Sequence, residues 1–381
     1  MINRLLPSYI LNAMKHFPII ALTGPKQSGK TTLVRKLLPN IPYINLKSYE
    51  QRLAIRQDFS AFLARFKQGV VFDDIQYLPE LSKYILANQH HKSGKYILIG
   101  SQNSFSKSLV SGLLNSDKLA VFHLLPPCLK EIGSTLTLKE QISRGFFPYL
   151  YCQTNVDNKL FYKNYVTSYL EQEVKIMKNI QSISRFKIFM EICADHTGQL
   201  LNLSALASEC KISADTAKEW ILLLENSYII YLHKSYDNNF GRRLVKTPKL
   251  YFYDVGLASY LAKISFANPD NNSLKGRLFE NMIVMDIYKH LQLKNSSFYF
   301  WRDKVGNEVD CIIEDDNKVC AIEIKSSKII PVLSKKNLLY WTKFNKLIKN
   351  YVIYAGSERK YCNEITYLPW NELTHDNILF P

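Results

Sequence analysis

No apolar run in this chain of 381 residues approaches the ~20 residues that a membrane-spanning helix needs. The start, Met1-Ile2-Asn3-Arg4-Leu5 with Pro7 close behind, lacks the pattern of a signal peptide. Both absences point to the cytoplasm and away from a membrane partner. C-x-x-C pairs are missing as well. The seven cysteines (128, 152, 193, 210, 311, 320 and 362) are odd in number and scattered, which argues against a disulfide framework or a zinc module. The eight histidines form no cluster with them, and the one adjacent pair, His90-His91, reads as loop because neighbouring residues rarely share one metal. There is no internal repeat and no low-complexity segment.

What is present organises itself around one stretch. Gly24-Pro25-Lys26-Gln27-Ser28-Gly29-Lys30-Thr31 fits G-x-x-x-x-G-K-[ST] in full. It follows the apolar run Pro18–Leu22 and opens onto Thr32–Leu38, a helical pattern, so strand, glycine loop and helix come in the order that the motif requires. Gly24 and Gly29 let the backbone approach phosphate oxygens. Successive N–H groups and the positive end of the helix then hold the anion. Residues 24–32, ending at Thr32, are therefore the expected ATP-binding residues, with Lys30 reaching the β- and γ-phosphates and Thr31 ligating Mg²⁺.

A second motif follows. Gly69-Val70-Val71-Phe72-Asp73-Asp74 is an apolar strand ending in two carboxylates. Asp73 is expected to hold Mg²⁺ through water, and Asp74 to polarise the attacking water. ATPases of this type usually carry Glu at the second position, so Asp74 is one methylene short. Lys95–Asn103 is another buried strand ending in small polar residues, and Ser101, Gln102 and Asn103 are the candidates for reading the γ-phosphate. Lys118–Leu125 makes a fifth strand. Strands alternating with helices predict an α/β fold with a parallel sheet covered on both faces.

The net charge is +16, unevenly spread. Residues 1–130 hold 17 Lys/Arg against 6 Asp/Glu, residues 131–265 hold 16 against 13, and residues 266–381 hold 16 against 14. The first third carries more positive charge than one nucleotide requires. A basic face for DNA is one reading. A lysine-rich composition that also favours Asn, Ile and Tyr is the other.

The P-loop, "VVFDDIQYLPEL", "ILIGSQNSF" and "LLPPCLKEI" resemble the AAA+ ATPases of the archaeal-ATPase-like group, in which the ATPase is followed by a domain of unknown function. The likeness continues through "YVTSYLEQEV", "GQLLNLSALA", "LVKTPKLYFYDVGLASYL", "GRLFENMIV" and "FYFWRDKVGNEVDCIIE". It implies nucleotide binding and ATP hydrolysis, and a site that a neighbouring subunit often completes, hence a homo-oligomer or protein partner. Two departures stand out. Leu114–Lys118 replaces the family's Gly-Arg pair, and Tyr169-Leu170-Glu171-Gln172-Glu173 lacks the Arg of its "Y-L-E-R-D" helix. An arginine finger is worth about 10³–10⁵ in rate. Lys118 and Arg144 are the available stand-ins, and a lysine does not reproduce a bidentate arginine.

A linking helix is expected from Phe161 to Met177. The order thereafter is helix (Arg185–Asp195), helix (Leu203–Cys210), turn, helix (Ser213–Asn226) and strand (Tyr228–Leu232), a winged-helix pattern. The Ser213–Asn226 helix sets Lys218 against Asp215, Glu219 and Glu225, a poor match to phosphate. Arg242, Arg243, Lys246 and Lys249 suit DNA better, but could equally neutralise a neighbouring domain or meet the bound nucleotide.

The last segment predicts paired strands at Glu308–Ile313 and Val319–Lys325. Asp310, twelve residues, then Glu323-x-Lys325 is the restriction-endonuclease-like PD-(D/E)xK pattern. Residues two apart on a strand share a face, so Glu323 and Lys325 are expected to meet Asp310. Asp310 and Glu323 would hold Mg²⁺. Lys325 would orient water and stabilise the charged phosphorane. Glu280 on the helix Lys275–Leu291 matches the acidic helix residue of such folds. A salt-bridged hairpin remains the competing account. The expected division is a P-loop core over 1–133, a helical linker or lid over 134–184, a winged-helix-like region over 185–265, and a restriction-endonuclease-like α/β domain over 266–381. Two functions follow: an ATPase governing a nuclease-like domain, or a nucleotide-gated regulator without nuclease activity.

Overall fold

The computed structural model describes residues 2–88, 95–102, 118–133, 135–153, 155–174, 182–236, 244–264, 272–294, 296–315, 318–329, 336–343 and 348–374. The chain forms two compact units. One comprises Asn3–Pro126 with Leu224–Tyr228, and the other Met1–Ile2, Pro127–Leu223 and Ile229–Pro381.

The first unit is built on a five-stranded sheet. Its strands are β1 (Ile19–Thr23), β2 (Tyr43–Asn45), β3 (Gly69–Asp73), β4 (Lys95–Ile99) and β5 (Leu119–His123), in the spatial order β2-β3-β4-β1-β5. Every pairing is parallel. β1 and β3 are buried at every position, which is why both read as continuous apolar runs and not as alternating ones. Helices Tyr49–Gln57, Phe59–Ala64 and Pro79–Asn88 supply Ile55, Phe62, Leu81 and Ile85 to a core shared with Val70, Phe72 and Leu98. Because β4 lies between β1 and β3, the carboxyl ends of these three strands are neighbours. Ligands in open α/β sheets bind at such an edge.

In the second unit, helices Ile183–Asp195 and Leu203–Cys210 are followed by the helix Ala214–Asn226, which belongs to this unit as far as Leu223 and whose Trp220 meets Phe186 and Phe189 edge-on at 5.1 and 5.3 Å. Antiparallel β6 (Ile230–His233) and β7 (Lys249–Phe252) follow. The helix Asn272–Leu291 precedes a six-stranded mixed sheet of β8 (Ser297–Arg302), β9 (Glu308–Asp315), β10 (Lys318–Lys325), β11 (Ile348–Tyr354), β12 (Lys360–Cys362) and β13 (Ile365–Pro369), ordered β12-β13-β11-β10-β9-β8. β8, β9 and β10 are antiparallel neighbours, whereas β11 runs parallel to β10. Ala321 pairs with Ile312 in the core that holds Trp341 and Leu338; the register shift between β8 and β9 brings Val309 into that core as well, and Asp310 beside it accepts the Ile324 N–H.

Several elements differ from the sequence reading. The stretch Ser48–Lys67, whose Leu53, Ile55, Phe59, Phe62, Leu63 and Phe66 spacing predicts one helix, is two helices, because Asp58 is extended (φ −160°, ψ 102°) and caps the second by accepting the Ala61 N–H at 2.9 Å. The linking helix is α-helical over Asn158–Tyr169 and passes into a π-turn over Leu170–Val174. Tyr228 is left-handed (φ 58°), so the strand after it starts at Ile230. β12 and β13 were not anticipated, since strands of three and five residues carry little periodic signal.

The Asp254-Val-Gly segment of "YFYDVGL" is a packing node. Asp254 accepts from Phe146 N (2.6 Å), Tyr162 OH (2.6 Å) and Leu257 N (2.9 Å), the last capping helix Val255–Leu261. A Cβ at Gly256 would stand 2.2 Å from that same tyrosine oxygen, which requires the glycine. Leaving buried donors without an acceptor costs about 1–3 kcal/mol each. Asp254→Ala is therefore expected to lower unfolding free energy by roughly 3 kcal/mol or more, read as a lower urea midpoint, with Asp254→Asn falling between. An unchanged midpoint for Asp254→Ala would remove this node.

Candidate functional site

The P-loop joins β1 to the helix Lys30–Leu37. Gly24 has φ 146°, and a Cβ there would sit 2.2 Å from the Leu124 carbonyl oxygen, so no other residue fits. Gly29 (φ 96°) is the N-cap and brings no side-chain cap to the helix. The first N–H groups of that helix thus have no intrahelical acceptor and face the loop. Lys30 is buried, with Nζ donating to the carbonyls of Gly24 and Pro25 at 2.7 Å each. Ser28 is fully buried, and its Oγ has no hydrogen-bond partner among the described residues. An unsatisfied buried hydroxyl in a glycine-shaped anion cradle fits a phosphate group.

Thr31 and Asp73, 42 residues apart, meet here: Thr31 Oγ1 donates to Asp73 Oδ2 at 2.6 Å. Tyr43 OH donates to the same oxygen. Burial, then the Asp73 carboxylate, pushes the Tyr43 phenol above its ordinary range, and Arg35 covers its ring at 4.2 Å. Asp73 Oδ1 accepts the Asp74 N–H at 2.8 Å. A hydroxyl and a carboxylate this close form a hard-oxygen pair suited to Mg²⁺.

Asp74 is left-handed (φ 58°), an uncommon conformation for a non-glycine residue. Its carboxylate is engaged on both sides. Oδ1 accepts from Gln76 Nε2 at 2.9 Å, and Oδ2 pairs with Lys47 at 3.2 Å. Gln76 Nε2 also reaches Ser101 Oγ at 3.1 Å, so the Gln76 side chain joins the ends of β3 and β4. Of the three candidates for reading the γ-phosphate, Ser101 is the one within this network, and Asn103 lies outside the described residues.

Several contributors carried no sequence signal. Arg4 donates to the carbonyls of Ser28 (3.0 Å) and Leu125 (2.6 Å), tying the loop to the end of β5. Thr23, the residue before Gly24, has its Oγ1 2.8 Å from both His123 Nδ1 and Tyr228 OH. Tyr43, Arg4 and Tyr228 belong to no motif, and only strand order brings them in. Of the arginine stand-ins, Arg144 stacks on Tyr151 at 5.7 Å in the second unit. Leu114–Asp117, Arg242, Arg243, His90 and His91 lie outside the described residues.

The second unit gathers the other predicted group. Asp310 and Glu323 are buried, and Asp310 Oδ2 accepts the Ile324 N–H at 2.8 Å. Lys325 Nζ holds Glu323 Oε1 at 2.5 Å, while Glu323 Oε2 is buried with no hydrogen-bond partner among the described residues. Glu280 joins through Lys249, which pairs with Glu280 (2.9 Å) and Glu308 and stands 3.7 Å from Asp310 Oδ1. Lys249 was grouped above with basic residues suited to DNA. It is instead 3% exposed and neutralises carboxylates of its own unit. Burial, followed by Glu323 and Glu280, holds the Asp310 carboxyl well above the usual carboxylate range. Burial works the same way on Glu308, but Lys249 and Arg302 outweigh it and keep that carboxyl low.

Residues 16–133 match the family described as an AAA domain. Residues 135–268 and 275–373 match two families described as domains of unknown function, DUF8612 and DUF4143. With the P-loop geometry, the first of these matches makes the N-terminal part an AAA-type, ATP-binding NTPase module. An uncharacterized protein of Mycobacterium tuberculosis is 23% identical over 317 residues, 82% of this chain and 71% of that one. One of Haemophilus influenzae is 22% identical over 305 residues, 71% of this chain and 74% of that one. A Walker-type ATPase of Pyrococcus abyssi shares 15% identity with a TM-score of 0.47, covering 69% of this chain and 96% of that one. No helix among the described residues is long and apolar enough to cross a membrane.

Burial lowers the His123 imidazole from 6.5 to about 4. The folded state then binds fewer protons than the unfolded one between those values, so stability is fully present above about 6.5 and declines as pH falls toward 4. His123→Gln keeps a polar partner for Thr23 and removes this titration. The stability of the wild type relative to the variant is expected to fall across that window, and parallel thermal-unfolding curves would count against the assignment.

Proposed function

We propose that the chain binds MgATP at the P-loop, hydrolyses it slowly, and uses the nucleotide state as a switch. The observation that carries this reading is the 2.6 Å meeting of Thr31 and Asp73 beside the glycine cradle. Residues 24–32 bind the phosphates, with Lys30 turning from its carbonyl partners to the β- and γ-oxygens. Mg²⁺, held by Thr31 and Asp73, supplies charge neutralisation on the phosphate oxygens. Ser101 and Gln76 orient the γ-phosphate side of the site. Asp74 is the available general base. Its shorter side chain, its engagement by Gln76 and Lys47, and the absent arginines all favour low turnover.

A second reading is metal-dependent cleavage of nucleic acid at Asp310, Glu323 and Lys325, with Glu280 in support and the 266–381 segment acting as a restriction-endonuclease-like domain. Glu323 Oε2 favours it, because a buried carboxylate oxygen without a partner suits a cation. Asp310 and Glu323 would hold Mg²⁺, and Lys325 would position water. Lys249 weighs the other way, since its ammonium already serves Glu280 and Glu308. Within the winged-helix-like region proposed for 185–265, the third helix suits DNA poorly, since Asp215, Lys218 and Glu219 are exposed on it and sum to a negative charge. The regulator without nuclease activity is therefore the stronger of the two readings.

Lys30→Ala is expected to abolish ATP binding in calorimetry, and retained affinity would overturn the assignment. Asp74→Asn should leave binding intact and lower turnover about 10²-fold if Asp74 is the base. Incubation with plasmid DNA and Mg²⁺ separates the two readings. Cleavage that is lost on chelation and in Asp310→Ala supports the nuclease, and intact DNA supports the regulator.

A further inference from the structure

Cys128, Asp286 and His290 come together in the second unit, although 158 residues separate the first two. Cys128 precedes the short helix Leu129–Ile132. Asp286 and His290 are four residues apart on the helix Asn272–Leu291 and so share one of its faces. One ligand atom from each of the three side chains lies within 4.8 Å of the other two. His290 Nε2 is 3.7 Å from Asp286 Oδ2, too long for a hydrogen bond. Cys128 and Asp286 are buried, whereas the His290 side chain is 23% exposed and offers a route from solvent.

Asp286 poses the problem that the site answers. Its Oδ1 accepts the Leu129 N–H at 2.6 Å, while Oδ2 is buried with no hydrogen-bond partner among the described residues. A carboxylate oxygen in the interior is costly unless a cation or donor meets it. We propose that Cys128, Asp286 and His290 form a binding site for a thiophilic divalent cation of the Zn²⁺ class, serving as a structural clip.

The donor set is the first support. Thiolate, imidazole and carboxylate together suit Zn²⁺ and not Mg²⁺ or Ca²⁺. Size is the second. Bonds of about 2.0–2.3 Å in a tetrahedron set ligand atoms about 3.3–3.7 Å apart. The 3.7 Å separation already meets this, and the rest of the cluster needs to contract by about an ångström. On binding, the Cys128 thiol loses its proton to solvent, and the sulfur lone pair forms the metal bond. The nearby charges divide. The Glu131 carboxylate, which accepts the Cys128 N–H at 3.1 Å, favours a cation. Lys289 disfavours one, but its Nζ is held by the Pro127 carbonyl at 3.1 Å and lies 4.3 Å over the Phe146 ring. The fourth position opens on the His290 side. Such a clip adds to the Leu129–Asp286 and Lys289–Pro127 hydrogen bonds that tie this stretch to the helix Asn272–Leu291.

Co²⁺ tests the proposal, because a thiolate ligand gives a near-ultraviolet charge-transfer band and tetrahedral coordination gives strong visible bands. Full-length protein, stripped by a chelator and titrated with Co²⁺, is expected to develop both at one equivalent, and Zn²⁺ should displace the colour. Cys128→Ser should lose the charge-transfer band. His290→Ala, a change at a partly exposed residue, should weaken Co²⁺ binding at least tenfold while the protein remains folded by circular dichroism. Absence of the charge-transfer band in the wild type would overturn the proposal. So would a band that persists undiminished in both variants, since the ion would then sit elsewhere.

Discussion

Among the described residues three lysine ammonium groups are buried, and each needs a carbonyl or anionic partner there, because an isolated charge is not tolerated at low dielectric. Their solutions differ. Lys30 is held by two carbonyls of its own loop. Lys249 is fastened to carboxylates from the helix Asn272–Leu291 and from β9, so it knits the second unit together. Burial works against its charge, yet Tyr251, Glu280, Asp310 and Glu308 keep its ionisation well above the ordinary lysine range. For Lys289 burial prevails and lowers it, despite Asp286 and Asp254 nearby.

The same principle explains why the two predicted acidic sites behave differently. Around Asp73 the ligands are a hydroxyl and a phenol, neutral donors that leave the negative charge available to a metal. Around Asp310 the protein has supplied its own cations. Removing one partner of a buried ion cluster is costly, so Lys249 is an internal counter-ion that a metal would have to displace or share. The D-x₁₂-E-x-K spacing describes both a catalytic site and a neutralised structural cluster, and the spacing alone does not distinguish them.

Motifs whose geometry is local were legible in the chain. Gly24–Thr31 needs only a strand, a turn and a helix in succession, and period-two alternation put Glu323 and Lys325 on one face. Networks assembled across strands were not legible. Gln76 bridging Asp74 and Ser101 depends on β4 lying beside β3, Tyr43 on Asp73 depends on β2 flanking β3, and Arg4 on the Ser28 and Leu125 carbonyls depends on β5 flanking β1. The basic run ending at Lys249 shows the opposite failure. Charge counted along the sequence left DNA contact and charge neutralisation both open, and folding turned this member inward onto carboxylates.

By itself the sequence determined that the N-terminal third folds around a phosphate-binding loop, because backbone freedom at Gly24 and Gly29 and the helix that follows are local properties. It also determined that Glu323 and Lys325, two apart on one strand, share a face. Only the tertiary structure decided what those groups face. Whether a buried carboxylate meets a lysine, a tyrosine or an unsatisfied space depends on contacts between residues tens to hundreds of positions apart. Cys128 beside Asp286 and His290, unrelated in sequence, became neighbours for that reason alone.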